Sequence, residues 1–161
     1  MARRLIGFPN PVNEKAARVV AGGVVALTVL TLATRWWWFS AVLAVGFLAR
    51  VLSGPRFSPL GQLATRVVAP RLGPPKQVPG PPKRFAQGIG LAVTTAAAVA
   101  WFGVGSSVVT AALLGLLLVF ALLESVVGFC AGCWLFARLM RLGIIPESAC
   151  AACADIWARS A

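Results

Sequence analysis

Residues 85–123 contain no charged side chain at all. One bilayer crossing needs about 20 apolar residues, so this stretch must fold back on itself. Gly103-Val104-Gly105-Ser106-Ser107 supplies the break: glycines end one helix and a serine can cap the next. Two shorter uncharged runs, residues 19–34 and 36–49, come before it. Only Arg35 separates them, and Arg18 and Arg50 at their outer ends can snorkel to lengthen each span.

The sequence therefore predicts an all-α integral membrane protein of four transmembrane helices, over 17–35, 36–53, 85–102 and 106–129. They are arranged as two hairpins in one domain covering residues 1–161. Only 12% of the residues are charged, against about 25% in a soluble domain. So much apolar surface cannot be hidden in a core this small, and lipid must cover it. The net charge of +11 would suit nucleic acid. The basic residues lie at the ends of apolar runs and not along one face, which argues against that partner. Arg3-Arg4 superficially resemble an export signal, but Pro9, Pro11, Glu14, Lys15 and Arg18 precede the first apolar run, which reads as a retained helix.

Fourteen of the fifteen basic residues fall on one side of this topology, with Arg35 the exception. The positive-inside rule puts both termini and the middle loop in the cytoplasm and the protein in the plasma (inner) membrane. Trp36, Trp37, Trp38 and Trp101 fall at the opposite interface, where amphipathic rings prefer to sit. Between the hairpins, Ser58-Pro59 starts a short interfacial helix with Leu60, Leu63, Val67 and Val68 on its apolar face. Pro70 is expected to end it, and Gly73-Pro74-Pro75 and Pro79-Gly80-Pro81-Pro82 to form a stiff connector. Gly22-Gly23 and Gly88/Gly90 offer small-residue faces for close helix packing in lipid.

The chemistry-bearing residues are few. The chain lacks His and Tyr, and its acids are Glu14, Glu124, Glu147 and Asp155. Its four cysteines form two Cys-x-x-Cys pairs, Cys130/Cys133 and Cys150/Cys153, in a cytoplasmic tail over 130–161. Residues 134–142 suit an interfacial helix that Gly143 ends, and Ser148 would cap a short helix bearing Cys150 and Cys153 on one face. On the reducing side of a membrane, permanent disulfides are disfavoured; in the opposite orientation two structural disulfides would be the natural reading. A thiol at a helix N-terminus is activated by the dipole, which fits Cys150, with Arg138 or Arg141 assisting and Glu147 and Asp155 opposing. The second pair would then exchange electrons or sulfane sulfur with the first. Alternatively the four thiolates close a tetrahedral zinc site, stapling the tail of a non-enzymatic scaffold subunit. Cysteines also pack as plain small hydrophobes.

Glu124 lies inside the last span, where an acid is costly unless protonated or paired. Arg18, Arg50 and Arg84 are candidate partners, and a proton-relay role is the functional alternative. On an ideal helix Glu124 shares its face with Gly128 and Ala131 and points about 120° away from Cys130. With Glu124 the main polar group in the membrane, a transporter path is doubtful.

The segments at 54–64 (Gly-Pro-Arg-Phe-Ser-Pro-Leu-Gly-Gln-Leu-Ala), 71–75 (Arg-Leu-Gly-Pro-Pro), 81–87 (Pro-Pro-Lys-Arg-Phe-Ala-Gln) and the cysteine stretch resemble an uncharacterised family of small four-helix membrane proteins common in actinobacteria. The resemblance runs from about Pro9 to Trp157, and it implies that the pattern carried by Cys130, Cys133, Cys150 and Cys153 is a family trait. It further implies a soluble partner of the thioredoxin-like or rhodanese-type sulfurtransferase class, or a place in a larger membrane complex. The Gly-Phe-Cys segment at 128–130 also looks distantly like the membrane part of rhodanese–membrane fusion proteins.

Overall fold

The computed structural model describes residues 7–150 together with Cys153. Arg3, Arg4, Asp155, Trp157 and Arg159 lie outside the described residues. The order is β1 (Val12–Asn13), α1 (Glu14–Thr34), α2 (Phe39–Ser53), α3 (Pro59–Leu63), a π-turn (Ala64–Val68), α4 (Ala69–Arg71), β2 (Gln77–Val78), α5 (Gly80–Phe102), α6 (Ser107–Leu122), a second π-turn (Leu123–Val127), α7 (Ala131–Arg141) and a 3₁₀ turn (Glu147–Cys150). The fold is all-α apart from the two-residue ribbon in which β1 and β2 pair antiparallel.

Three helices are long and apolar enough to cross a membrane: Glu14–Thr34, Gly80–Phe102 and Ser107–Val127. The fourth, α2, has 15 residues and starts at Phe39, later than the expected 36, because Trp36–Trp38 are spent on the turn after Arg35. Arg35 itself takes a left-handed conformation as the C-cap of α1.

The interior sets buried hydroxyl groups among an apolar core that includes Val24, Phe47 and Leu114, and the exterior is apolar as well, unlike that of a water-soluble bundle. Thr28, Thr31, Thr94 and Thr110 are completely buried, and each hydroxyl donates to the carbonyl four residues back at 2.7–2.8 Å. Val45, Val99, Phe102, Val108 and Val119 meanwhile stand more than half exposed. Local satisfaction of hydroxyls inside with aliphatic groups outside is what a bilayer solvent requires.

The helices of the first hairpin pack less on each other than on the second: α2 lies along α5 and α1 along α6. Gly90 explains the first contact, because a side chain there would collide with the Phe47 ring. Gly23 faces Leu60 of α3 in the same way, whereas Gly22 and Gly88 meet nothing within 4 Å. Of the expected small-residue faces, then, one glycine from each pair makes the close approach.

The cysteine-bearing end is tied together by basic side chains. Arg18 donates to the Ser125 and Val126 carbonyls (3.3 and 2.7 Å), which the end of the last span leaves without helical partners. Arg50, only 5% exposed, donates to Gln87 Oε1 (2.9 Å) and Ser58 Oγ (3.3 Å) and lies over the Phe47 ring. Arg84 donates to the Val51 carbonyl at 3.1 Å. At the other end Trp37 is buried against Trp101, and Trp36 and Trp38 are exposed. The clustering of tryptophans opposite the basic end matches expectation, with Trp37 a packing residue.

Three local expectations need correction. Ser58 does cap α3, accepting from the Gly61 N–H at 3.2 Å, but Pro70 does not end the segment. The π-turn just before it lets Ala69 N–H reach the Ala64 carbonyl, and this wider ladder accommodates the proline ring. The segment also packs against α1, with Leu60 on Gly23 and with Ala64 and Ala69 buried, while Leu63 and Val67 stay exposed. Pro81 and Pro82, expected in the connector, form the first turn of α5, where amide protons have no helical partner to lose. The helix therefore begins at Gly80, five residues before the expected start.

Candidate functional site

α6 does not stop cleanly at Leu122. It loosens into the π-turn containing Glu124, closed by Gly128 at φ +78°. The Phe129 N–H returns to the Leu123 carbonyl at 3.1 Å, and the chain re-enters a helix immediately. Cys130 is the N-cap of that helix, α7: its Sγ accepts from the Cys133 N–H at 3.3 Å. A sulfur here does what a serine oxygen does at an ordinary N-cap. The Cys133 thiol donates to Cys130 Sγ across only 2.7 Å.

The cysteine loop sits tightly on α5. A methyl group on Gly132 would lie 2.6 Å from Ala86 Cα, so only glycine allows this approach between Cys130 and Cys133. Phe136 packs edge-on to Phe85 one turn later. The contact brings Lys83 under the thiols, and its ammonium pairs with Glu124 at 2.8 Å, with both side chains largely buried. Glu124 thus has a basic partner, but not Arg18, Arg50 or Arg84, each of which is engaged elsewhere. Nor does Glu124 point away from Cys130. The π-turn and the break at Gly128 abolish ideal helical phase, and both residues line one cavity.

The two thiols are driven apart in acidity. Cys130 is held below the ordinary cysteine value, first by the hydrogen bond from Cys133, with help from the Lys83 ammonium and the Cys133 N–H, against burial and the Glu124 charge. Cys133 is pushed far above it, first because its proton is held by Cys130 and then by burial. The pair titrates as one unit, in which Cys130 is the more acidic thiol and Cys133 the one that keeps its proton.

The second pair departs from expectation. Cys150 ends a 3₁₀ turn and is joined to Cys153 by a disulfide, so it is not a thiolate at a helix N-terminus. Cys130 holds that position instead. Gly143 does terminate α7, at φ +72°. Arg138 lies over the Trp134 ring, 5.0 Å from its centroid. Among the described residues no three His, Cys, Asp or Glu side chains converge as a metal-ligand set. The four sulfurs stand as one dithiol, Cys130/Cys133, and one disulfide, Cys150–Cys153.

Two cavities meet at Cys130. An inner one of about 320 Å³ is walled mainly by apolar groups of α1, α2, α5, α6 and α7. An outer one of about 750 Å³ is bordered by Glu14, Lys76, Lys83 and Arg141, and Cys130, Cys133 and Cys153 all face it. The structure thus brings Cys130, Cys133, Cys153 and Glu124 to one locus, with Cys150 buried behind its partner. Sequence reasoning missed Lys83. Its signal was a lysine one helical turn before Gln87 at the entrance to an uncharged run.

No curated protein and no solved structure matches the chain. A family match covers residues 12–141, taking in the ribbon, all the apolar helices, Lys83, Glu124 and the Cys130/Cys133 pair, and ending before Cys150. The chain belongs to the family described as Domain of unknown function (DUF4395).

Proposed function

We propose that this is a multi-pass plasma-membrane thiol–disulfide exchange module, accepting reducing equivalents from a soluble dithiol protein of the thioredoxin-like class. The observation that carries the reading is the pairing at one cavity of a dithiol, Cys130/Cys133 at 2.7 Å, with a disulfide, Cys150–Cys153. A disulfide with a sequence separation of 3 closes a small loop and restrains the unfolded chain by only about 2 kcal/mol, less than a longer loop would. Such a bond serves exchange better than stapling, and it is compatible with a reducing compartment because it is transient there. Exchange is favoured over sulfane transfer, since the structure sets a dithiol and a disulfide at one cavity, the two reactants that exchange requires.

The membrane placement has four spans. α2 reaches only about 22 Å, yet Val42, Val45, Leu48 and Leu52 form an exposed apolar face along it. The tryptophan turn at one end and Arg50 at the other extend it across the core. Both termini and the cysteines lie on the cytoplasmic side by the bias of basic residues.

In the proposed cycle a soluble dithiol reduces Cys150–Cys153, and the resulting thiols reduce a Cys130–Cys133 disulfide, with Cys130 as the leaving thiolate. Mixing the fully oxidised full-length chain in nanodiscs with a reduced thioredoxin-like protein tests this. One disulfide in the soluble partner is expected per dithiol formed in the membrane protein. An unchanged thiol count in both proteins refutes the reading. Labelling of the cysteines by an impermeant maleimide from outside intact cells overturns the orientation.

A further inference from the structure

The exchange reading leaves the electrons on Cys130/Cys133, and the inner cavity supplies a place for them to go. Its cysteine end carries the polar groups Gln87, Glu124 and Cys130; the rest of its lining is aliphatic or aromatic. Its rim includes Phe120 and Trp134, both exposed on the apolar flank of the bundle. Arg50 Nε occupies the Gln87 amide oxygen at 2.9 Å, leaving the amide N–H groups to donate. A site of this kind suits an uncharged, flat, lipid-soluble molecule with a hydrogen-bond-accepting carbonyl at its reactive end. A cavity of about 320 Å³ is large enough for one substituted ring.

We infer that the inner cavity binds a membrane quinone, which oxidises the Cys130/Cys133 dithiol. The inference rests on the exchange reading above. Two S–H bonds are lost and one S–S bond forms between Cys130 and Cys133. The two electrons and two protons released convert both quinone carbonyls to hydroxyls, giving the hydroquinone. The outer cavity brings electrons in from a soluble dithiol and the inner one passes them to the bilayer. Cys130, the residue common to both cavities, is the junction. The net reaction is soluble dithiol plus quinone giving soluble disulfide plus hydroquinone.

The test uses the full chain in nanodiscs, reduced with dithiothreitol, freed of reductant, and mixed anaerobically with decyl-ubiquinone. That probe has a fully substituted ring with no open carbon for thiol addition. One hydroquinone per Cys130–Cys133 disulfide is expected, with competitive slowing by the redox-inert mimic heptyl-hydroxyquinoline N-oxide. Val93→Trp fills the cavity away from the sulfurs and is expected to slow quinone reduction about tenfold or more. Its melting temperature in nanodiscs shows that it has folded. A wild-type dithiol that is oxidised by the thiol oxidant diamide but not by the quinone overturns this inference and leaves the exchange reading intact. So does a folded Val93→Trp that reduces quinone at the wild-type rate. A dithiol oxidised by neither reagent sinks both.

Discussion

Removing Lys83 should alter Cys130 and the fold in ways that removing Glu124 does not mirror. The two side chains pair at 2.8 Å with 9% and 14% of their surfaces exposed. Breaking a buried pair by deleting one partner costs about 3–5 kcal/mol, because the survivor keeps its desolvation penalty without its attraction. Lys83→Met and Glu124→Gln should each destabilise the protein, Glu124→Gln by less because the amide can still accept from Lys83. The double variant Lys83→Met/Glu124→Leu should recover most of the loss, since an apolar pair has no charge left to solvate. Reversible unfolding in mixed detergent micelles, read as a double-mutant cycle, measures these terms.

Reactivity separates the site from a mere ion pair. The Lys83 ammonium lowers the pKa of Cys130 and the Glu124 charge raises it. The thiolate is the reactive form and its fraction rises with pH. Lys83→Met must therefore move the Cys130 alkylation profile to higher pH, and Glu124→Gln must move it to lower pH. Displacements of the same sign in both variants would refute the electrostatic link between the pair and the thiols.

Other outcomes follow from neighbouring contacts. Cys133→Ala removes the proton donor to Cys130 and should move its alkylation profile to higher pH, whereas Cys133→Ser, which keeps a donor, should move it less. Gly132→Ala should cost about 1–3 kcal/mol through the overlap with Ala86 and slow exchange by lifting α7 from α5, measured by thermal melting and alkylation rate. Arg18→Ala should cost about 1–2 kcal/mol, seen in the same melts, by uncapping the Ser125 and Val126 carbonyls.

The parts of this fold that depend on local chemistry were legible in the sequence. Ser58 and Ser106 cap helices as their positions suggest, and Gly143 stops α7. Uncharged runs located the apolar helices to within a few residues, except at Pro81-Pro82. Proline there fits both a connector and a first helical turn, and α5 takes both prolines into its first turn. The site was less legible because it depends on departures from ideal geometry. The π-turn at 123–127 leaves no periodic signature, so the phase of Glu124 relative to Cys130 was unreadable. Cys-x-x-Cys fixed the ligand or redox pairs but not which would be closed and which would cap a helix. Lys83 lay hidden because its partner is forty-one residues away, at the far end of the helix that follows α5.

The central claim is that the two cysteine pairs form one exchanging system, and a redox titration of the full chain in nanodiscs tests it most directly. Samples are poised in dithiothreitol and glutathione redox buffers that together span the range of Cys-x-x-Cys couples, trapped by differential alkylation, and both pairs are counted by mass spectrometry. The account predicts two reversible two-electron couples, with Cys150→Ser abolishing re-reduction of Cys130–Cys133 by a soluble dithiol protein while leaving its reduction by dithiothreitol intact. A Cys130/Cys133 pair that stays fully reduced across the titration, or one re-reduced by the protein dithiol equally well without Cys150, would contradict it.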